Sequence, residues 1–191
     1  MRLYVKSAIG NFLDEDVDSR KDTARENLSD DALELMSKDT NQYVRVGVAA
    51  NPNTSPELLT KLANDRSNKV RIAVAGNPNT PPEVLRKIRE THKGYGDNRK
   101  HPMDARFVVA LLRNNNTPID YRKKLIDLAY YGSSSSRWLG PDYYRGDYGD
   151  PILAIVKDPQ APIEIIKYIF QIEAKDSSNI LKLALKRIYG E

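Results

Sequence analysis

Residues 44–69 read VRVGVAANPNTSPELLTKLANDRSNK, and residues 70–90 read VRIAVAGNPNTPPEVLRKIRE. The second copy repeats the first: Val44 and Val70, Asn51 and Asn77, and Glu57 and Glu83 each stand 26 residues apart. A period of that length belongs to stacked helical repeats rather than to coiled coils. Within one copy, Val44, Val48 and Ala49 form an apolar stripe, as do Val70, Val74 and Ala75, on a helix too short to be stable alone in water. Asn51 and Asn77 each precede a proline, which drives them out of the helical region and cannot itself continue the helical hydrogen bonding. The first helix therefore ends at the asparagine.

Thr54-Ser55-Pro56-Glu57 and Thr80-Pro81-Pro82-Glu83 then read as capping boxes, in which the threonine hydroxyl accepts from an orphan amide and the glutamate reaches back. Proline at the first helical position gives up an amide that has no intrahelical partner. Leu58, Leu59 and Leu62, and correspondingly Val84, Leu85 and Ile88, supply the buried stripe of a second helix. One repeat is thus a short helix, an Asn-Pro corner and a capped second helix.

Working outward, a step of 26 backwards puts Ala24 under Ala50, Ser29 under Ser55, Leu33 under Leu59, Met36 under Leu62 and Asp39 under Asp65. Forwards, Asn114, Thr117 and Asp120 answer Asn77, Thr80 and Glu83 at an offset of 37, which implies eleven inserted residues. Asp158-Pro159 then takes the place of Asn-Pro and Glu164 answers Asp120 at an offset of 44, implying eighteen more. The expected organisation is a single domain: a cap over 1–17, a degenerate repeat over 18–43, repeats over 44–69, 70–106 (with a basic insertion, 91–104) and 107–150 (with an aromatic insertion, 132–150), and a last repeat with a closing helix over 151–191.

The NPNTPPE-L pattern resembles the leucine-rich repeat variant, a relative of HEAT-like α-solenoids. The resemblance is carried by residues 44–90 and implies an all-α, right-handed solenoid of about five helix–turn–helix units with a concave surface. Some members carry a cysteine-ligated iron–sulfur cluster, but this chain has no cysteine, so that feature does not transfer.

Zero cysteine also excludes disulfides and thiolate metal sites and fits a reducing compartment. The stretch MRLYVKSAIGNFLDEDVD holds no apolar run of signal-peptide length and nothing approaches a membrane span, so the expected location is cytoplasmic. Net charge is +4, divided unevenly: residues 1–43 hold six Lys/Arg against ten Asp/Glu, which leaves +8 for the remainder. That asymmetry admits a nucleic-acid or acidic-protein partner, although solvated lysines on a repeat protein give the same numbers.

Insertions in a solenoid become loops, and loops on a rigid scaffold carry function. Tyr130, Tyr131, Trp138, Tyr143, Tyr144 and Tyr148, at or beside the second insertion, are six of the chain's fifteen aromatics. With its serines, glycines, Arg137 and Arg145, this is the composition of a binding loop. The candidate partner-binding residues are Arg137, Trp138, Tyr143, Tyr144, Arg145 and Tyr148, against the reading that the rings fold back as plugs. Lys93, Arg99 and Lys100 make the first insertion a basic loop. Stacking also aligns Arg86, Lys123 and Lys167 in one row and Lys61, Lys87 and Lys124 in another, a possible basic ladder or simply a solubilising face.

Other chemistry is thin. Asp14, Asp16 and Asp18 imitate a calcium loop, but Ser19 and Arg25 stand where its glycine and glutamate belong. His92 and His101 lack a third ligand at metal spacing. No cofactor or catalytic set is expected; Trp138 and Asp150 are a loose echo of HEAT-like DNA glycosylases. The expected function is a non-catalytic scaffold whose partner is a protein, with nucleic-acid binding as the alternative and glycosylase activity third.

Overall fold

In the computed structural model the described residues are 16–26, 28–88, 105–131, 151–173, 184–186 and 188–190. All regular structure among them is helical. The chain divides into two compact units, Met1–Gly94 and Tyr95–Glu191. Unit 1 contains α1 (Val17–Thr23), α2 (Asp30–Met36), α3 (Gln42–Ala50), α4 (Pro56–Leu62), α5 (Asn68–Gly76) and α6 (Pro82–Lys87). Unit 2 contains α7 (Ala105–Arg113), α8 (Ile119–Tyr131), α9 (Pro151–Lys157) and α10 (Ile163–Glu173). Of the closing helix expected at the end of the last span, residues 184–186 and 188–189 are helical, and 174–183, 187 and 191 lie outside the described residues.

Helices pair as an α-solenoid requires. First helices stack on first helices, α1 on α3 on α5 and α7 on α9, while the second helices α8 and α10 pack together. The core lies between the layers: Leu33, Val44, Val48, Leu59, Val70, Val74 and Leu85 in unit 1, and Phe107, Leu111, Leu125, Ile155, Ile165 and Ile169 in unit 2, are almost fully buried. Each such side chain contributes about 1.5–3 kcal/mol by leaving water. That burial, rather than intrinsic propensity, holds helices of six to nine residues together.

The corner chemistry differs from the capping box expected of it. Ser55, not Thr54, is the N-cap of α4, its hydroxyl accepting from the Leu58 amide at 3.3 Å. Pro81 holds that place before α6, where no side chain caps the helix. Threonine looks backwards instead: Thr54 Oγ1 donates to the Val48 carbonyl at 2.5 Å and Thr80 Oγ1 to the Val74 carbonyl at 2.6 Å. The hydroxyl is buried against the end of the first helix, whose terminal carbonyls have no intrahelical donor, so that bond takes precedence over a cap.

Both asparagines of the NPN motif are staples. Asn77 Nδ2 donates to the carbonyls of Ala49 and Asn51, each at 2.8 Å, and Asn79 Nδ2 donates to those of Pro52 and Thr54 at 2.5 and 3.3 Å. Each corner therefore satisfies the carbonyls of the corner before it. Asn51 does the same one step earlier, donating to Ala24 O at 2.9 Å and Glu26 O at 2.8 Å. This bonding corrects the register of the first repeat: Ala24 lies under Ala49, an offset of 25, while the N-caps Ser29 and Ser55 keep 26. The first corner, lacking NPNT, is one residue shorter.

Gly47 lets α3 approach α1. A Cβ there would stand 2.8 Å from Ala24 Cβ and 3.2 Å from the Lys21 carbonyl. Alanine would ordinarily gain about 1 kcal/mol over glycine inside a helix. Here we expect Gly47→Ala to destabilise by about 1–3 kcal/mol through overpacking, with urea midpoints as the check; a stabilised variant would refute the close packing.

Candidate interaction site

Of the sequence-derived candidates, Arg137, Trp138, Tyr143, Tyr144, Arg145 and Tyr148 lie outside the described residues, as do Lys93, Arg99 and Lys100, His92 and His101, and Asp150 of the glycosylase echo. The six ladder residues are described. Lys61 is in the last turn of α4, and Arg86 and Lys87 are in the last turn of α6, all exposed in unit 1. Lys123 and Lys124 on α8 and Lys167 on α10 belong to unit 2.

The ladder is not a plain basic stripe. Glu57 and Glu83 occupy the first turns of the same helices, and Asp120 and Glu164 hold that position in α8 and α10. Four residues separate Glu57 from Lys61, about 6 Å along the axis at 1.5 Å per residue. In α4 and α6 the acid starts the helix and the base ends it, the arrangement that the macrodipole favours. Lys61 also bonds Glu34 of the preceding second helix at 3.1 Å, and its ammonium holds that carboxyl below its ordinary value. Lys123 sits 5.1 Å over the ring of Tyr168, whose hydroxyl donates to Asp127 at 2.7 Å. In each unit, rows of both signs lie side by side on the second helices.

Inside the stack the structure shows a charged network that the apolar pattern concealed. Arg45 makes a two-pronged pair with Asp65, Nε to Oδ2 at 2.7 Å and Nη2 to Oδ1 at 2.9 Å, with both side chains under a tenth exposed. Its Nη1 donates to the carbonyls of Asp39 and Thr40 at 2.8 and 3.1 Å. Arg20 pairs with Asp39 at 2.9 Å, and Arg71 Nη1 donates to the Asp65 carbonyl. Burial pushes the Asp65 carboxyl upward, but the Arg45 bond and the Ser67 amide outweigh it and leave the group below its ordinary value. The visible signal was Arg45 and Arg71 recurring within apolar helices, in step with Asp39 and Asp65.

At the Asp158 corner, unit 2 uses charge where unit 1 uses an amide. Asp158 stands in the asparagine position but its side chain has no N–H to donate; its Oδ2 meets Arg113 Nε at 2.7 Å. The Asn114 carbonyl, which a following asparagine would otherwise bond, accepts from the Thr117 amide at 2.9 Å and from Arg122 Nη2. Arg122 is 3% exposed and occupies the register position of Leu59, Leu85 and Ile166. Burial lowers its pKa, opposed by the charge of Glu164. Arg122→Leu should therefore cost about 1.5–3 kcal/mol, the range for a hydrogen bond from a charged donor. Adding Asp158→Asn should recover part of that loss. A thermal-unfolding cycle with strictly additive losses would reject this compensation.

The acids of the apparent calcium loop are used locally. Asp16 Oδ1 caps α1, accepting from the Asp18 amide at 2.8 Å and the Ser19 amide at 3.1 Å, and Asp18 pairs with Lys21 at 2.7 Å. Asp14 lies outside the described residues. Among the described residues no group of three His, Asp or Glu is placed to hold a metal ion, and no helix is long and apolar enough to cross a membrane.

Residues 44–96 match the family model of the Leucine Rich Repeat Variant domain, a span that runs from the third residue of α3 through all of α4 to α6. No curated protein and no solved structure matches the chain.

Proposed function

Starting from a Leucine Rich Repeat Variant domain over residues 44–96, we propose that this protein is a non-catalytic, cytoplasmic scaffold that binds a protein partner, through its helix faces and its two insertion loops. The observation that supports the reading is the locked corner: side-chain staples fix successive helix pairs in register, so that outer side chains fall into rows on a preorganised surface. Protein is favoured over nucleic acid because the second-helix face alternates acidic and basic rows, whereas a phosphate backbone calls for an uninterrupted basic track. Nucleic-acid binding keeps one supporting observation, the +8 charge of residues 44–191.

Affinity capture from native lysate, with and without nuclease, separates the two. Nuclease-resistant capture of a protein is expected. Capture abolished by nuclease, with affinity falling steeply between low and physiological salt, would replace the protein reading by the nucleic-acid one. Deleting residues 133–148 should weaken capture while leaving the helical melting curve unchanged; undiminished capture would remove the aromatic loop from the interface. Turnover of an alkylated base would overturn the non-catalytic assignment.

A further inference from the structure

Helices α3, α5, α7 and α9 break a rule that α1, with Asp18 in its first turn, and the second helices obey. All five second helices carry Asp or Glu in the first turn, where the dipole makes each worth about 0.3–1 kcal/mol. Helices α3, α5, α7 and α9, with sequences QYVRVGVAA, NKVRIAVAG, ARFVVALLR and PILAIVK, contain no acid anywhere. Lys69 and Arg106 occupy the second positions of α5 and α7, where a cation opposes the dipole. A local preference forgone repeatedly on one layer calls for a reason beyond stability.

The same layer keeps aliphatic side chains partly in solvent. Val46 and Ile72 in unit 1, and Val109 and Leu153 in unit 2, share one register position, and all four are only half-buried. In unit 1 the stripe continues over the exposed small residues Ala50 and Gly76, which let another backbone come close. Its opposite edge is Tyr43, 45% exposed, with Lys69 Nζ 4.5 Å above the ring and donating to its hydroxyl at 2.7 Å. The Lys69 bond lowers the Tyr43 pKa. Asp18 and Asp22 of α1 are the neighbouring acids, and Asp18 is paired with Lys21. Helices α3 and α5 themselves present an apolar stripe bordered by Lys69 and without carboxylates, complementary to apolar side chains flanked by acids.

We propose that the outer face of the first helices docks an acidic, amphipathic segment of a protein partner, its apolar side chains on Val46 and Ile72 and its carboxylates beside Lys69, with Val109, Leu153 and Arg106 offering the same chemistry in unit 2. This rests on the scaffold reading and assigns it a face.

Photoreactive side chains placed singly at Val46 and Ile72, and for comparison at Lys61 and Lys87, in the full chain test it in native lysate, with captured peptides sequenced by mass spectrometry. The expected result is cross-linking from 46 and 72 to a partner segment rich in Asp, Glu and aliphatic residues, reduced about tenfold by the charge reversal Lys69→Glu. An unchanged helical melt of Lys69→Glu shows that the fold is intact. Cross-links from 61 and 87 alone would overturn this face while keeping the scaffold. Cross-links from 46 and 72 to residues 1–15 of this chain or to a second copy would overturn it as well, because the stripe is then covered internally. Silence at all four positions would overturn this face, while the scaffold reading stands or falls on the nuclease-controlled capture and the loop deletion.

Discussion

Asn77→Asp should lower the free energy of unfolding by about 3–5 kcal/mol, the range for an uncompensated buried charge. The substitution changes almost no volume. What it changes is the sign of one group: the Nδ2 that donates to both Ala49 O and Asn51 O becomes a carboxylate oxygen facing two carbonyls. Asn77 is 2% exposed, so water cannot restore the lost bonds. Asn77→Ala takes one donor from each of the same two carbonyls without adding charge, and Asn51 O keeps the Thr54 amide at 3.1 Å, so it should cost less, about 1–3 kcal/mol. Asn79, exposed and with one of its two bonds at 3.3 Å, should lose under about 1 kcal/mol as aspartate. Urea unfolding of the three variants gives the order directly. If Asn77→Asp fell within about 1 kcal/mol of the parent, the staple would not be what couples neighbouring repeats.

The same asparagines show how far sequence carried the fold. Their spacing located the corner, because proline's steric demands are local and require no knowledge of neighbours. The two helix stripes followed equally well: Val44, Val48, Leu58, Leu59 and Leu62 are all buried where their periodicity places them. What the side chains at the corner bond to was not legible, since an amide hydrogen reaching a carbonyl 26 or 28 residues away is a tertiary fact. Thr54 was misread for that reason, its backward bond to Val48 looking in sequence like a forward cap. Arg122 escaped altogether, because an arginine among lysines reads as surface until the repeat register aligns it with Leu85 in sequence. Of the candidate site, the ladder residues lie on helices and all but the half-buried Lys123 are exposed, but a row of like residues says nothing of the acidic row beside it until both are placed on one helix.

Breaking the Arg45–Asp65 pair is the second large effect. Arg45→Met and Asp65→Leu should each cost about 3–5 kcal/mol, because either leaves the opposite charge in a site that excludes water. The double variant should cost clearly less than the sum, since no charge is then stranded between those two positions; coupling of about 1–3 kcal/mol is expected for such neighbours. Arg45→Met also strips the Asp39 and Thr40 carbonyls of a donor, so it should be the worse of the two single changes. The pair further predicts a pH dependence whose sign is fixed. Asp65 in the folded protein lies below its ordinary value of 3.8, so the unfolded chain binds its proton first as pH falls. Its contribution to stability is complete above that ordinary value and is lost progressively as pH drops through the lower, folded one. Asp65→Asn removes this contribution, so its stability should follow a shallower curve than the parent below about pH 4, near the carboxylate's unfolded value. Parallel curves for the two proteins down to pH 2 would mean that the carboxylate's charge contributes nothing to holding the repeats together, and that its two short bonds to Arg45 do no more than offset its burial.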